Sequence, residues 1–322
     1  MILVTGGCGY IGSHIVKALT DAGEQVVVYD DLSHGARSAL LCGEELVVGD
    51  ICDSMALRQL FAGHDIEAII HCAALVSAKE SIDQPALYQR VNDLGSRHVW
   101  EEATMAGVKI LLYASSAAVY GDPVSTTPIK ESAPLMPTNP YGLTKLAGEQ
   151  SLQTLISPDA RYGIFRFFNV GGSEDQGRLA QSKSSRAIVQ RLFAVAGGQD
   201  KQVVISGHDY DTPDGTVMRD FVHVTDIARA YVLALKYLRL GKPSFILNLG
   251  SGQAHTIGEV IKAVESVTGQ KIPLKYGPRI KGDISYSLAD IHLAKQLLGW
   301  EPGAPLSTIV YDGWRAYVQS NS

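Results

Sequence analysis

Tyr141 and Lys145 lie four residues apart, so on a helix they share one face, a turn apart. That spacing has a chemical use. A phenol ionises near pH 10 and is a poor base at neutrality. A nearby ammonium favours the phenolate, and each unit of pKa lowering corresponds to about 1.4 kcal/mol of differential stabilisation. A Tyr141 tuned in this way takes a proton from a substrate hydroxyl as hydride leaves the same carbon. Ser116, just past an apolar run, is placed to hydrogen-bond that hydroxyl. A Tyr-x-x-x-Lys pair alone is common by chance and is usually a solvated helix pair, so its meaning rests on its surroundings.

Those surroundings begin at the first residues. Ile2-Leu3-Val4 reads as a strand, and Thr5-Gly6-Gly7-Cys8-Gly9-Tyr10-Ile11-Gly12 follows at once as a glycine turn. Ile11, Ile15, Ala18 and Leu19 then recur at helical spacing, Gly23 closes that helix, and Val26-Val27-Val28-Tyr29-Asp30 is a second strand ending in an acid. Each part has a task in holding a dinucleotide. Gly6, Gly9 and Gly12 let the backbone turn sharply and approach a pyrophosphate, while the helix start at Tyr10 and Ile11 offers N–H groups and a positive dipole. The acid accepts hydrogen bonds from the adenosine ribose. Asp30 with Asp31 favours NAD over NADP, because two carboxylates repel a ribose phosphate; Arg37 lies further along. A turn without a ligand is the plainer alternative.

Apolar runs then alternate with helical stretches: Leu46-Val47-Val48, Ala68-Ile69-Ile70-His71, Ile110-Leu111-Leu112-Tyr113, Gly163 to Phe167 and Phe245 to Leu249. Helices are expected near 55–62, 85–106, 141–155 and 225–239. This alternation predicts an α/β fold, a doubly wound parallel sheet with helices on both faces. Ligands bind at the carboxyl ends of such strands. Asp50, Ile51, Cys72, Ala73, Ala74 and Ser116 all sit just past strand ends, so they are expected to line one crevice beside the glycine turn. Taken singly, each is as well explained as a turn or core residue, and Asp50 as a helix cap. Asn92, among apolar Leu87, Val91 and Val99, is either solvated or buried on the cofactor side. A Pro-rich loop runs to Asn139-Pro140, where the Tyr141 helix opens. Thr225 or Asp226 is expected to cap the 225–239 helix. Residues 1–170 with about 216–251 are expected to form the dinucleotide-binding part, and about 171–215 with 252–322 a smaller α/β cap.

Bulk properties exclude other classes. The chain has 322 residues, 46% hydrophobic and 19% charged, with a formal charge of −5. No basic block marks a nucleic-acid partner. No run is long enough to span a bilayer, and no leader precedes the first strand. Cys8, Cys42, Cys52 and Cys72 are scattered, which suits reduced thiols in a cytoplasmic protein rather than disulfides or a metal. His71, His208 and His223 show no metal-ligand spacing and read as structural. Trp300 and Trp314 read as packing residues.

Together, the Thr-Gly-x-x-Gly-x-x-Gly start, Ser116 and Tyr141-x-x-x-Lys145 resemble the extended short-chain dehydrogenase/reductase family. More narrowly, the chain is similar to the nucleotide-sugar 4-epimerases of that family, those acting on UDP-glucose and UDP-galactose above all. Ser116-Ala117-Ala118-Val119-Tyr120-Gly121, Arg166-Phe167-Phe168-Asn169 and Gly207 through Val224 carry this narrower likeness. The resemblance implies inversion of a sugar C4 through a transient 4-keto sugar and tightly held NAD. It places Phe168 beside the nicotinamide, Asn169 on the substrate, Arg219 on the diphosphate, and Arg279, Asp283 and Ser287 at the substrate site. It also implies a homodimer formed through the 85–106 and 141–155 helices. Ala117 and Ala118 stand where related dehydratases carry an acid, which disfavours dehydration. Val76, the run Gln181 to Val189, and Ile280 depart from the UDP-galactose pattern and leave the exact sugar open. Ser287 is small, which leaves room for an N-acetyl group. A uronate or pentose 4-epimerase, a reductase and a silent NAD-binding sensor are the alternatives, although an intact Ser116, Tyr141 and Lys145 oppose the last.

Overall fold

A computed structural model describes residues 1–122, 127–183, 185–279 and 284–320. Thirteen strands are present among them: β1 (Ile2–Thr5), β2 (Val26–Asp30), β3 (Glu45–Val48), β4 (Ala68–His71), β5 (Ile110–Ser116), β6 (Arg161–Phe167), β7 (Asn169–Gly171), β8 (Val203–Ser206), β9 (Met218–His223), β10 (Phe245–Leu249), β11 (Ala254–Thr256), β12 (Leu274–Gly277) and β13 (Tyr286–Ser287). Seven form one parallel sheet in the order β10-β6-β5-β4-β1-β2-β3. The order reverses beside β1, the switch point at which such sheets open a crevice.

Successive strand residues point to opposite faces, and both faces are covered. Ile2, Val4, Val28, Leu112 and Phe165 pack against the Tyr10–Asp21 and Val224–Arg239 helices. Leu3, Val27, Leu111 and Ile164 pack on the other side against the Ser54–Gly63, Ser96–Met105 and Pro140–Leu155 helices. The expected strands and helices are therefore present in the expected order. The expected 85–106 helix is interrupted in form, with a π-helical segment at Gln89–Gly95 between Pro85–Tyr88 and Ser96–Met105.

A smaller apolar cluster joins the Ile188–Ala196, Ile257–Thr268 and Leu306–Gln319 helices through Phe193, Val260, Ile309 and their neighbours. In contrast, Ala294, Leu298 and Trp300 pack into the core of the large sheet. Beside it, β9 pairs with β7, β11 and β13, and β8 pairs with β12.

Two expected caps are replaced by neighbours. Asp53 accepts from Met55 N and Ala56 N, while Asp50 folds back onto Cys52 N. The later helix starts at Val224, and His223 caps it by accepting from Thr225 N through Nδ1. Thr225 and Asp226 lie inside its first turn, where Asp226 accepts from Gly303 N and Ala304 N.

Candidate active site

The carboxyl ends of β1, β2, β4 and β5 meet at one edge, because Thr5 pairs with Tyr29 and His71, and His71 with Tyr113. Gly6 follows Thr5 with φ +69, and an added Cβ there would lie 2.5 Å from Ala73 N. A Cβ on Gly12 would lie 2.1 Å from Gly6 O. Any side chain at either position would collapse the cradle. Gly9 opens the Tyr10–Asp21 helix with no side-chain cap, and no acid occupies its first turn. The first N–H groups are thus left for an anion, and the site fits a dinucleotide pyrophosphate.

Around this cradle stand most of the expected cofactor residues. Cys72 N bonds Thr5 O, which seats Cys72, Ala73 and Ala74 against the glycine turn. Asp30 braces that turn, its carboxylate accepting from Cys8 N at 2.9 Å and Leu32 N at 2.8 Å. Burial raises its pKa against those two N–H groups. Exposed Asp31 accepts from Ser33 N. Ile51 is buried against Gly95, and Tyr29 donates to Asp50 O. Tyr10 donates to Gly172 O at 2.7 Å, reaching the segment beyond β7.

Asn92 is fully buried. Its Oδ1 accepts from Leu75 N and its Nδ2 donates to Leu75 O and Thr144 Oγ1. Of the two readings open from sequence, burial is the one realised. Asn92 holds the chain after Ala74 and touches the helix that carries Tyr141.

Asn139 caps the Pro140–Leu155 helix by accepting from Gly142 N, and Pro140 occupies its first turn. Tyr141 is half-buried, lies beside the Ser116 hydroxyl and meets Tyr88 edge-on at 6.4 Å. Ser116 is the last residue of β5, and its Oγ also accepts from Ala118 N. One turn on, Lys145 Nζ donates to Ala114 O at 2.8 Å and lies 5.1 Å from the centre of the Tyr113 ring. The three expected catalytic side chains are therefore gathered at one strand end.

Their electrostatics differ from expectation. Burial raises the Tyr141 phenol above its ordinary value, with the Ser116 hydroxyl as the opposing influence. Burial also lowers Lys145 to about 8, against support from Cys72 and Glu149. The ammonium donates to a backbone carbonyl and does not offset the effect of burial on Tyr141, so a positive charge brought by a ligand would further its acidification.

Of the residues expected on the substrate side, Asn169, Arg219 and Ser287 lie on the small sheet. Asn169 on β7 pairs with Phe221, and Arg219 on β9 pairs with Ser287 on β13. Asn169 is exposed, Ser287 is buried, and Arg219 Nη1 donates to Met218 O. Phe168 packs with Val119, Tyr120 and Ala289, beside the turn that follows Ser116. Arg279 follows β12 instead, where it pairs with Asp209 at 2.8 Å and covers the Tyr210 ring. Asp283, Ile280 and Lys281 lie outside the described residues.

His71 bonds Thr5 Oγ1 through Nδ1 and Ser96 Oγ through Nε2, as a structural residue does. No metal-binding cluster occurs among the described residues. Sequence reasoning missed Glu149, whose buried carboxylate accepts from Ser115 Oγ at 2.5 Å and pairs with Arg166. Two signals pointed to it. An acid sits one turn beyond Lys145 on the same helix, and an arginine sits among apolar residues in β6.

Comparison with known proteins agrees with this geometry. The chain matches the NAD dependent epimerase/dehydratase family over residues 2–250. It is 40% identical over 316 residues to the UDP-glucose 4-epimerase of Halalkalibacterium halodurans, covering 97% of this chain and 94% of that protein. A UDP-glucose 4-epimerase structure from Stenotrophomonas maltophila, with bound NAD and formylated UDP-arabinopyranose, superposes with a TM-score of 0.95 at 37% identity, over 99% of this chain and 98% of that one. The UDP-Glc/GlcNAc 4-epimerase from Campylobacter jejuni gives 0.86 at 32% identity, over 99% of each chain. With these likenesses spanning nearly its whole length, the chain belongs to the NAD dependent epimerase/dehydratase family.

Proposed function

We propose that this chain is an NAD-dependent UDP-sugar 4-epimerase in which Tyr141 is the acid–base residue. The observation that carries the assignment is the placing of Tyr141 beside the Ser116 hydroxyl at a strand end next to the glycine cradle, with buried Lys145 one turn away. When bound, NAD supplies a hydride acceptor and donor, and the positive charge of its oxidised ring favours the Tyr141 phenolate.

The chain's own groups do the rest. Gly6, Gly9 and Gly12 keep the cradle open, and Asp30 holds it in shape. Ser116 orients the sugar 4-hydroxyl, and Tyr141 Oη takes its proton. With the C4 hydride accepted by bound NAD, the product would be a 4-keto sugar that turns about its diphosphate link, and Tyr141 would return the proton as the hydride comes back to the opposite face of C4. Lys145 keeps a positive charge near that oxygen. Arg219 holds the diphosphate through a charge-assisted pair, so the nucleotide stays fixed while the sugar turns. Asn169 and Ser287 face the sugar. Ala117 and Ala118 offer no acid for dehydration.

The finer parts of the reading are these. Residues 1–170 with about 216–251 form the cofactor lobe, and about 171–215 with 252–322 the substrate cap, apart from the stretch around Ala294, Leu298 and Trp300, which packs on the large sheet. UDP-glucose and UDP-galactose are the substrates, with N-acetylhexosamine forms also accepted because Ser287 is small. Two copies pair through the helices near 85–106 and 141–155, whose exposed Leu94 and Leu143 need cover. The enzyme acts in the cytoplasm, which suits its four free thiols. Among the described residues no helix is long and apolar enough to cross a membrane.

Mixing the purified protein with UDP-galactose and no added cofactor tests the assignment. UDP-glucose formation, with transient reduction of copurified NAD seen by absorbance, is expected. A requirement for consumed NAD(P)H would make it a reductase, and bound NAD without any redox change would make it a sensor.

A further inference from the structure

The Pro140–Leu155 helix carries a further ionisable group, fully buried, on the face that bears Tyr141 and Lys145. Glu149 lies one turn beyond Lys145 and is 1% exposed. Its Oε1 accepts from Ser115 Oγ at 2.5 Å and from Arg166 Nε at 2.9 Å, and its Oε2 accepts from Arg166 Nη2 at 2.7 Å. Arg166 also donates to Tyr120 Oη and Glu131 O, and Tyr120 donates to Asn248 Oδ1. The carboxylate therefore sits at the head of a buried network crossing β5, β6 and β10. Burying charges this fully is costly unless every partner is satisfied, and an apolar pair of the same volume would hold the fold as well. Its placement points to a task beyond stability.

We propose, building on the assignment of Tyr141 above, that Glu149 is a positioning residue for the proton transfer. Two bonds join the helix to β5 in the residues leading to Ser116: Lys145 Nζ to Ala114 O, and Ser115 Oγ to Glu149. Together they fix the register in which Tyr141 meets Ser116. A phenol displaced by an ångström is out of line for transfer. Glu149 has a second effect through charge. Lys145 faces Glu149 on its own helix, Cys72 and His71 at the end of β4, and the Tyr113 ring on β5. Cys72, and after it the Glu149 carboxylate, oppose burial and favour the ammonium.

Glu149→Gln removes the charge while keeping shape and an acceptor. The expected result is a full complement of copurified NAD, an unchanged KM for UDP-glucose, kcat lowered roughly a hundredfold, and an alkaline limb of the rate profile moved to lower pH. Ser115→Ala keeps the charge and breaks only the tether, so kcat is expected to fall with the limb in place. A Glu149→Gln enzyme within twofold of the wild-type kcat, with its limb unmoved, would overturn the proposal. So would lost NAD and lowered Tm with normal kcat per NAD-loaded molecule. Should Glu149→Gln fail to fold, Ser115→Ala decides, and an unchanged kcat there overturns it. Tyr141→Phe separates the two readings. If it stays active, the catalytic assignment itself fails; if it is inactive while Glu149→Gln is normal, only the role of Glu149 fails.

Discussion

The cofactor edge and the substrate edge of this molecule are built in different ways. The cofactor edge is made of backbone, with glycines, strand ends and a helix start contributed largely by the first seventy-odd residues. The edge proposed for the substrate is made of side chains from strands far apart in the chain, with Asn169, Arg219 and Ser287 brought together by β9 pairing with β7 and β13. A backbone cradle tolerates almost no variation, because the constraint is the absence of a Cβ. A side-chain pocket can be retuned one residue at a time. The difference teaches where conserved chemistry and changeable specificity each reside.

Substitutions can break or sharpen this contrast. Between the two edges stands Tyr141, and its loss should be the most severe: Tyr141→Phe is expected to cut kcat by roughly 10²–10⁴-fold while NAD content stays normal. On the cofactor side, Gly12→Ala places a methyl group where Gly6 O stands. Copurified NAD should vanish, and stability should drop by roughly 1–3 kcal/mol in a denaturant titration. On the substrate side, Arg219→Ala should leave NAD in place and raise KM roughly 10–100-fold, the worth of a charge-assisted contact. Ser287→Tyr should abolish turnover of UDP-N-acetylglucosamine while UDP-galactose is still converted. No turnover of the N-acetyl sugar by the wild type would end that reading of Ser287.

A separate effect concerns acid. Burial lowers His71 to about 3 and His14 to about 4, from an ordinary value of 6.5. The unfolded chain therefore binds more protons between those values and 6.5, so stability falls as pH drops through that window. Denaturant midpoints that stay flat from pH 7 to pH 4 would show that neither imidazole is held neutral.

The cofactor edge was legible because its signals are local. A strand, a glycine triplet, a helix and an acid follow one another within Met1 to Asp30, and each is read without knowing the rest of the fold. Tyr141 and Lys145 were legible by spacing and Ser116 by its place after a strand. The protonation balance at Tyr141 was not, because burial and the commitment of Lys145 to Ala114 O are tertiary facts. Asn92 stayed ambiguous for the same reason: only packing of the π-helical segment against Leu75 and Thr144 turns its amide inward. The caps slipped by a few residues because an Asp at 50 or 53, or a His in place of Thr225, competes for the same N–H groups on nearly equal terms. Glu149 and Arg166 were each visible as charges in apolar stretches, yet their pairing spans two elements and no local pattern announces it.

The position of β10 has a consequence for how the chain comes to life on the ribosome. β6 is complete at Phe167, but its outer neighbour is β10, at Phe245–Leu249. Residues 168–244 must be synthesised in between, which at typical elongation rates takes roughly 4–15 s. Throughout that interval β6 presents an unpaired, strongly apolar edge, the kind of template on which nascent chains stick to one another. Production at high rates or temperatures should therefore fail first by aggregation of incomplete chains, and slowing translation across 168–244 should worsen the yield while slowing it after Leu249 should not.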